Sequence, residues 1–384
     1  MPEQTYLHWP FFTAAHRDLQ RDVQAWRDGG LRLENEADVD ASCRSYVAQL
    51  GAAGWLKYAV PFERGGAIDA LDLRSICVIR ETLAYSSSLA EFAFAMQGLG
   101  SGPISLFGSD ALKKRYLPGA AGGTRVAAFA ISESEAGSDV AAMRTAAHRD
   151  GSAIVINGEK AWISNAGLAD HFVVFCRWPE SGENSFVAVV VDAGSAGLTI
   201  GPAIEMIAPH PLGSLKFSDC RVPIDQVVGE PGKGMSIALG TLDVFRASVG
   251  AAALGFARRA FDEAVRHVRC RMAFGKPLAD FQMTQASIAD MATAIDAAAL
   301  LVYRAAWTRD QGAARVTREA AMAKLVATES AQQVIDQAVQ LLGARGLVHG
   351  QPVERLYREI RALRIYEGTS EIQKIVIARQ LLHG

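Results

Sequence analysis

The spacing of apolar residues along the chain changes period twice. As far as about Pro118 it is helical: Leu71, Ile76, Ile79 and Leu83 form an apolar stripe interrupted by Arg74, Arg80 and Glu81, and glycines punctuate successive segments. This predicts an all-helical N-terminal domain over residues 1–122. From about Thr124 to Val228 short β-rich runs replace it: Val126 to Ile131, Ala153 to Ile156, His171 to Phe175, Phe186 to Val191 and Leu215 to Phe217. Turn signals at Asn157-Gly158, Ser181-Gly182 and Ser195 to Gly197 separate them and predict a compact central β-domain, barrel-like or a sandwich, over residues 123–233. Beyond Pro231-Gly-Lys-Gly234 the helical period returns, clearest in Ile288, Met291, Ile295, Ala298 and Val302. Alanine-rich helices with few aromatics pack closely, so residues 234–384 read as a C-terminal four-helix bundle and the class as α+β.

Composition adds exclusions. With 384 residues, 50% of them apolar, the chain can bury a large core. A net charge of −2 gives no general attraction for nucleic acid or anionic lipid. Cys43, Cys77, Cys176, Cys220 and Cys270 are odd in number and far apart, which argues against a disulfide framework or a zinc site. The histidines form no ligand spacing, and no metal is expected. The first residues lack a signal peptide's apolar core, and no apolar run approaches membrane-spanning length, so a cytoplasmic location without membrane contact is the default.

Three segments carry candidate chemistry. Tyr366-Glu367-Gly368-Thr369-Ser370 sets a carboxylate on a short glycine turn beside an aromatic ring, ahead of a helix-like run from Glu371 to Leu382. Burial there raises a carboxylate above its ordinary pKa of about 4.3 and suits it to be a general base; capping and turn chemistry is the plainer reading. Phe129-Ala-Ile-Ser132-Glu-Ser-Glu-Ala-Gly137-Ser138-Asp139 breaks from strand to hydroxyl-rich loop, whose N–H groups and serines suit a polar ring edge or a diphosphate, or mark an ordinary strand exit. In Asn157-Gly-Glu-Lys-Ala-Trp162-Ile-Ser164-Asn-Ala-Gly167, an Asn-Gly hairpin turn leads to an indole and a hydroxyl two residues apart on a strand. That pair suits covering a flat heterocycle, unless Trp162 is a core tryptophan.

In this order the segments resemble the acyl-CoA dehydrogenase flavoprotein family, with further matches at Asp243 and Arg246, at Arg271-Met-Ala-Phe274-Gly-Lys-Pro-Leu-Ala-Asp-Phe-Gln282, and at Gln340-Leu-Leu-Gly343-Ala-Arg-Gly346. The resemblance runs from about Leu19 to Leu382. It implies FAD between the β-domain and the C-terminal bundle. Phe129, Ile131 and Ser132 would border the ring's pyrimidine edge, Ser138 the pyrophosphate and the substrate, Trp162 the ring face and Ser164 its N5; Thr369 would meet the same flavin. Arg271, Phe274 and Gln282, with Gln340 and Gly343, would complete the flavin site of a neighbouring subunit in a homotetramer built as a dimer of dimers.

The implied reaction is α,β-dehydrogenation of an acyl-CoA. Glu367 would take the α-proton as a hydride leaves the β-carbon, its own backbone N–H would help hold the thioester oxygen, and Tyr366 would help desolvate it. Some relatives carry the base one residue before the position of Arg246; here that residue is Phe245, which has no basic group. The resemblance puts Asp243 and Arg246 near the CoA portion and the catalytic loop, the alternative being an ordinary helical ion pair, and assigns chain-length preference to Phe92, Ala95, Met96 and Leu99. The expected electron acceptor is an electron-transfer flavoprotein. Same-fold alternatives are an acyl-CoA oxidase, a flavin monooxygenase or a carrier-protein thioester dehydrogenase; a DNA-binding flavoprotein goes against the charge balance. The chain departs from the family pattern at Ser134-Glu135, where Pro-Gly is usual, at Ser132 and Ser164, where Thr is usual, and at Ala344, where Gly is usual.

Overall fold

The computed structural model describes residues 5–33, 37–61, 71–182 and 184–383. Five helices come first: α1 (Ala14–Gly29), α2 (Val39–Ala52), α3 (Leu73–Ala84), α4 (Ser88–Phe107) and α5 (Asp110–Ala121). Strands follow: β1 (Ala127–Ala130), β2 (Ala146–Asp150), β3 (Ala153–Ser164), β4 (His171–Arg177), β5 (Phe186–Asp192), β6 (Leu198–Ile200), β7 (Leu212–Pro223) and β8 (Val227–Val228). The long helix α6 (Gly234–Cys270), a small hairpin of β9 (Met272–Ala273) and β10 (Lys276–Pro277), and helices α7 (Gln282–Asp310), α8 (Thr317–Leu342), α9 (Pro352–Leu363) and α10 (Ser370–Leu382) complete the chain. The fold is an N-terminal helical domain, a central mixed sheet and a C-terminal helical bundle. By internal contacts the chain divides into two units, residues 1–31 with 72–91 and 246–384, and residues 32–71 with 92–245.

The second unit is built on one eight-stranded sheet in the order β6-β7-β3-β2-β4-β5-β8, with β1 parallel to β4. Strands β4 and β5 are buried on both faces, which is why they read as unbroken apolar runs. Their residues Phe172, Val174, Val187, Val189 and Val191 pack with Ile154, Ile156, Leu215 and Phe217 into one core. The expected hairpin turn at Asn157-Gly158 is not one: both residues lie inside β3, at a shift of register against β7. Gly158 is needed there for space, since a Cβ would sit 2.6 Å from the Thr145 Cα, and its φ is +138°. The chain reverses instead at Gly151, whose φ is +62°. A second register shift between Lys160 and Ile163 carries Trp162 at φ +59°.

In the first unit, α7 and α8 pack along each other, α8 also meets α9 and α10, and α3 meets α1 and α7. The predicted stripe of α7 is the one buried: Met291, Ile295, Ala298 and Val302 face inward. Close packing rests on small residues. A Cβ on Gly250 of α6 would approach Val302 of α7 to 2.8 Å and Ala327 of α8 to 3.2 Å. Contrary to expectation, α6 and α7 each hold an 18-residue window of mean hydropathy 1.4, long and apolar enough to span a bilayer; 78% of the α6 window is buried within the protein.

Candidate active site

The α9–α10 connection is held from several sides. Thr369 caps α10, its hydroxyl accepting the Ile372 N–H at 3.3 Å, while the Ser370 N–H returns to the Arg364 carbonyl at 3.2 Å. Just before the cap, Glu367 and Gly368 both adopt left-handed backbone, φ +52° and +92°. For Gly368 this backbone disfavours any side chain, and a Cβ would also push Gln373 Nε2, 2.6 Å away, off the carbonyls it binds. For Glu367 the conformation is strained by roughly 1–2 kcal/mol and has to be held in place by the surroundings. Gln373 Nε2 donates to the carbonyls of Glu367 (3.2 Å) and Gly368 (2.9 Å), and Lys324 Nζ of α8 donates to Gly368 O at 2.8 Å. Also on α8, Glu329 accepts from Arg364 (2.9 Å) and Ser370 (2.5 Å).

Although Glu367 as a residue is partly exposed, both carboxylate oxygens are shut off from solvent and have no hydrogen-bond partner among the described residues. Burial pushes this carboxyl above the usual range, and the charges of Arg80, Arg246 and Lys324 pull it back. All three cations are buried. Arg80 of α3 pairs with Glu91, donates to Ser248 Oγ at 2.7 Å and hydrogen-bonds Tyr366. The site thus holds one carboxylate without hydrogen bonds, screened from water, in a field of positive charge. Such a group is a stronger proton acceptor than a carboxylate in water.

In the sheet unit, two loops predicted to act together are joined directly. The Ala161 N–H donates to Ser132 O at 3.0 Å, and Lys160 Nζ donates to Ile131 O and Glu133 Oε1, both at 2.9 Å. Glu133 in turn accepts the N–H groups of Arg144 (2.7 Å) and Thr145 (2.9 Å). Trp162 is not a core residue: its side chain is 56% exposed, with Ile163 buried and Ser164 half-buried behind it. A large indole held out of the core on strained backbone is a surface for a flat partner.

Comparison with known proteins settles the family. Models of the N-terminal, middle and C-terminal domains of acyl-CoA dehydrogenase match residues 13–124, 128–220 and 232–382 in that order. The human mitochondrial short-chain specific acyl-CoA dehydrogenase is 41% identical over 342 residues, covering 88% of this chain and 82% of that protein. The chain belongs to the acyl-CoA dehydrogenase family. The structure of butyryl-CoA dehydrogenase from Megasphaera elsdenii matches at TM-score 0.88 and 31% identity over 97% of this chain and 99% of that one. An acyl-CoA dehydrogenase from Bacillus anthracis complexed with FAD matches at TM-score 0.89 and 29% identity, covering 97% and 67%.

The remaining predicted positions of this acyl-CoA dehydrogenase fall in three places. Phe129 is half-buried on β1 with its ring 4.7 Å from Phe175, Ile131 is buried, Ser132 is half-buried, and Ser138 is exposed. Phe92, Ala95, Met96 and Leu99 line the buried length of α4, and the Phe92 ring lies 4.6 Å from the His210 imidazole. Asp243 is half-buried one turn before Arg246 on α6, and the charge of Arg246 bears on Glu367. Arg271, Phe274, Gln282, Gln340 and Gly343 are exposed; Phe274, at φ +49°, is 96% exposed. Arg271 and Arg345 both bear on His267, helping burial hold its pKa down, which puts the β9–β10 hairpin and the end of α8 at one end of the bundle. Sequence reasoning did not find Lys324, Arg80 or the Glu133–Lys160 pair. The signal for Lys324 was a lone cation among Ala320, Ala321, Ala323 and Ala327.

Proposed function

We infer that this protein catalyses FAD-dependent α,β-dehydrogenation of an acyl-CoA thioester to the trans-2-enoyl-CoA. The observation that carries the reading is the buried Glu367 carboxylate, free of hydrogen bonds among the described residues. The α-hydrogen of a thioester is weakly acidic, so its removal needs a base at contact distance, stronger than an exposed carboxylate yet ionised. Burial supplies the strength, and the three cations favour the ionised form. Glu367 takes the proton, the electron pair left on the α-carbon forms the new double bond, and the β-hydrogen departs with its pair. FAD, when bound, supplies the acceptor for that hydride. The residues fit such a group: an exposed indole at Trp162, a hydroxyl at Ser164 two residues on, another at Ser132, whose carbonyl accepts the Ala161 N–H, and exposed Ser138 offer a stacking face and donors. The backbone N–H of Glu367 would hold the thioester oxygen, so one residue both deprotonates the substrate and binds its carbonyl.

The rest of the reading goes with it. Electron-transfer flavoprotein is the acceptor of the electrons. The chain works as a homotetramer, a dimer of dimers in which Arg271, Phe274, Gln282, Gln340 and Gly343 complete a neighbour's flavin site; the exposed side chains of Phe274 and Met283 support this. Free cysteines, four of the five buried, support a reducing, cytoplasmic setting, and the charge of −2 supports a partner list without nucleic acid or membrane. The test is anaerobic titration of the purified yellow protein with a panel of acyl-CoAs. Bleaching of the flavin by one chain-length class names the substrate; a flavin that no acyl-CoA reduces would refute the reading.

A further inference from the structure

Lys324 lies on α8 with no exposed surface, embedded in the alanine face that packs the bundle. A lysine is almost never buried to this extent without a specific partner. Its ammonium donates to the carbonyl of Gly368, the residue that follows the base, at 2.8 Å. The charged groups facing it are Glu367, Arg246, Glu329 and Arg364. Those facing Glu367 are the cations Arg80 from α3, Arg246 from α6 and Lys324 from α8, with the Glu91 carboxyl at the start of α4 and the hydroxyl of Tyr366, the residue before Glu367. Lys160 is a useful contrast, because its ammonium also donates to a carboxylate, Glu133, with which it forms a closed ion pair. Lys324 instead spends its hydrogen bond on the turn's backbone and directs its charge at a carboxylate it leaves chemically available.

We propose that Lys324 is a positioning residue for proton abstraction: its ammonium ties the Gly368 carbonyl, fixing the left-handed turn that aims Glu367, and sets a positive charge facing that carboxylate. The proposal rests on Glu367 being the base. Turn and charge are linked because Glu367 and Gly368 are consecutive residues with positive φ, and Lys324 binds the carbonyl at the far end of that pair. Burial pushes the ammonium down to about 8, and the Glu367 carboxylate opposes that fall, so each group favours the charged form of the other.

Three variants separate the two jobs. Lys324→Met removes bond and charge, Lys324→Gln keeps a donor without charge, and Lys324→Arg keeps both. In Lys324→Met, kcat with the acyl-CoA found by titration falls by about tenfold to a hundredfold through misplacement of the base, and the acid limb of the pH profile moves to higher pH. Lys324→Gln shows the same displacement of the acid limb with a smaller loss of kcat, and Lys324→Arg returns the limb to its wild-type position. The displacement is also read without turnover, as exchange of the α-hydrogens of a thioester lacking β-hydrogens into D2O. An acid limb unmoved in the Met and Gln variants, or moved equally in all three, overturns the proposal; a lower thermal midpoint with an unchanged pH profile does so too, leaving a structural staple. Full activity in Glu367→Gln would instead overturn the reading beneath it.

Discussion

Replacing Glu367 with Gln keeps the size of the side chain and removes its basicity, so its effect isolates the chemistry assigned to that group. A positioned general base is worth about 10²–10⁴ in rate, or about 3–5 kcal/mol of barrier. The structure places this residue toward the upper end, since the carboxylate oxygens are closed to solvent and no water can substitute as base there. Stability should move far less. The charged form is held at a net cost, its carboxyl being pushed up by burial despite Arg80, Arg246 and Lys324, and a neutral amide relieves that cost while leaving the cations less compensated. The expected result is a folded, yellow protein with a thermal midpoint near that of the wild type, whose flavin is bleached by the acyl-CoA substrate at least a hundredfold more slowly. The wild type should lose kcat/KM as pH falls through the Glu367 pKa, which lies above the ordinary carboxylate value because of burial. Wild-type rates of bleaching in the amide variant would refute the assignment, and loss of the flavin would show that the residue acts in binding instead.

Other consequences follow from groups outside the turn. His171 is buried with both ring nitrogens unpartnered among the described residues, its ring tilted at 40° to Tyr116 with centroids 4.8 Å apart, and burial holds its pKa down to about 4. A folded-state value below the unfolded one means the unfolded chain binds more protons between about pH 4 and 6.5, so this histidine lowers stability as pH falls, by about 2 kcal/mol at pH 5. His171→Phe should match or exceed wild-type stability at pH 7 and flatten the pH dependence of denaturant midpoints; an unchanged slope would contradict it. Lys160→Met leaves Glu133 without its buried counter-charge and should cost about 3–5 kcal/mol, partly recovered by adding Glu133→Gln, as measured by urea unfolding of the two variants. Phe274→Ala removes an apolar side chain that is 96% exposed in the single chain. It should weaken assembly and release FAD on dilution, read by ultrafiltration and light scattering, whereas tight FAD in a monomer would sink the shared-site reading.

The turn at Glu367 was legible in the sequence because its geometry is local: a glycine for the left-handed position, a threonine to cap α10 and an acid between two packed elements. The period of α7 was legible for the same reason, each buried position lying within a turn or two of the next. The sheet was legible as strands but not in register. Asn157-Gly158, a strong hairpin signal, became a bulge because β3 pairs with β2 on one side and β7 on the other and runs on through Ser164. Loop propensity is a local preference, and two flanking strands outweigh it.

The charges around the base were invisible for a physical reason. On α3, Arg74, Arg80 and Glu81 look like polar breaks in an apolar stripe, yet all three side chains lie inside the protein. Burying them requires partners, and these come from elsewhere in the chain: Arg74 meets Asp310 at a separation of 236 residues, Glu81 meets Arg258 at 177, and Arg80 meets Glu91 at 11 and Ser248 at 168. A periodicity window cannot distinguish a charge facing water from one whose partner arrives with the fold. The distinction matters for catalysis, because exposed charges at these positions would be screened and would exert little pull on Glu367. In the interior the charge of Arg80 acts at lower dielectric than it would at the surface, and with Arg246 and Lys324 it opposes the rise that burial gives the Glu367 carboxyl.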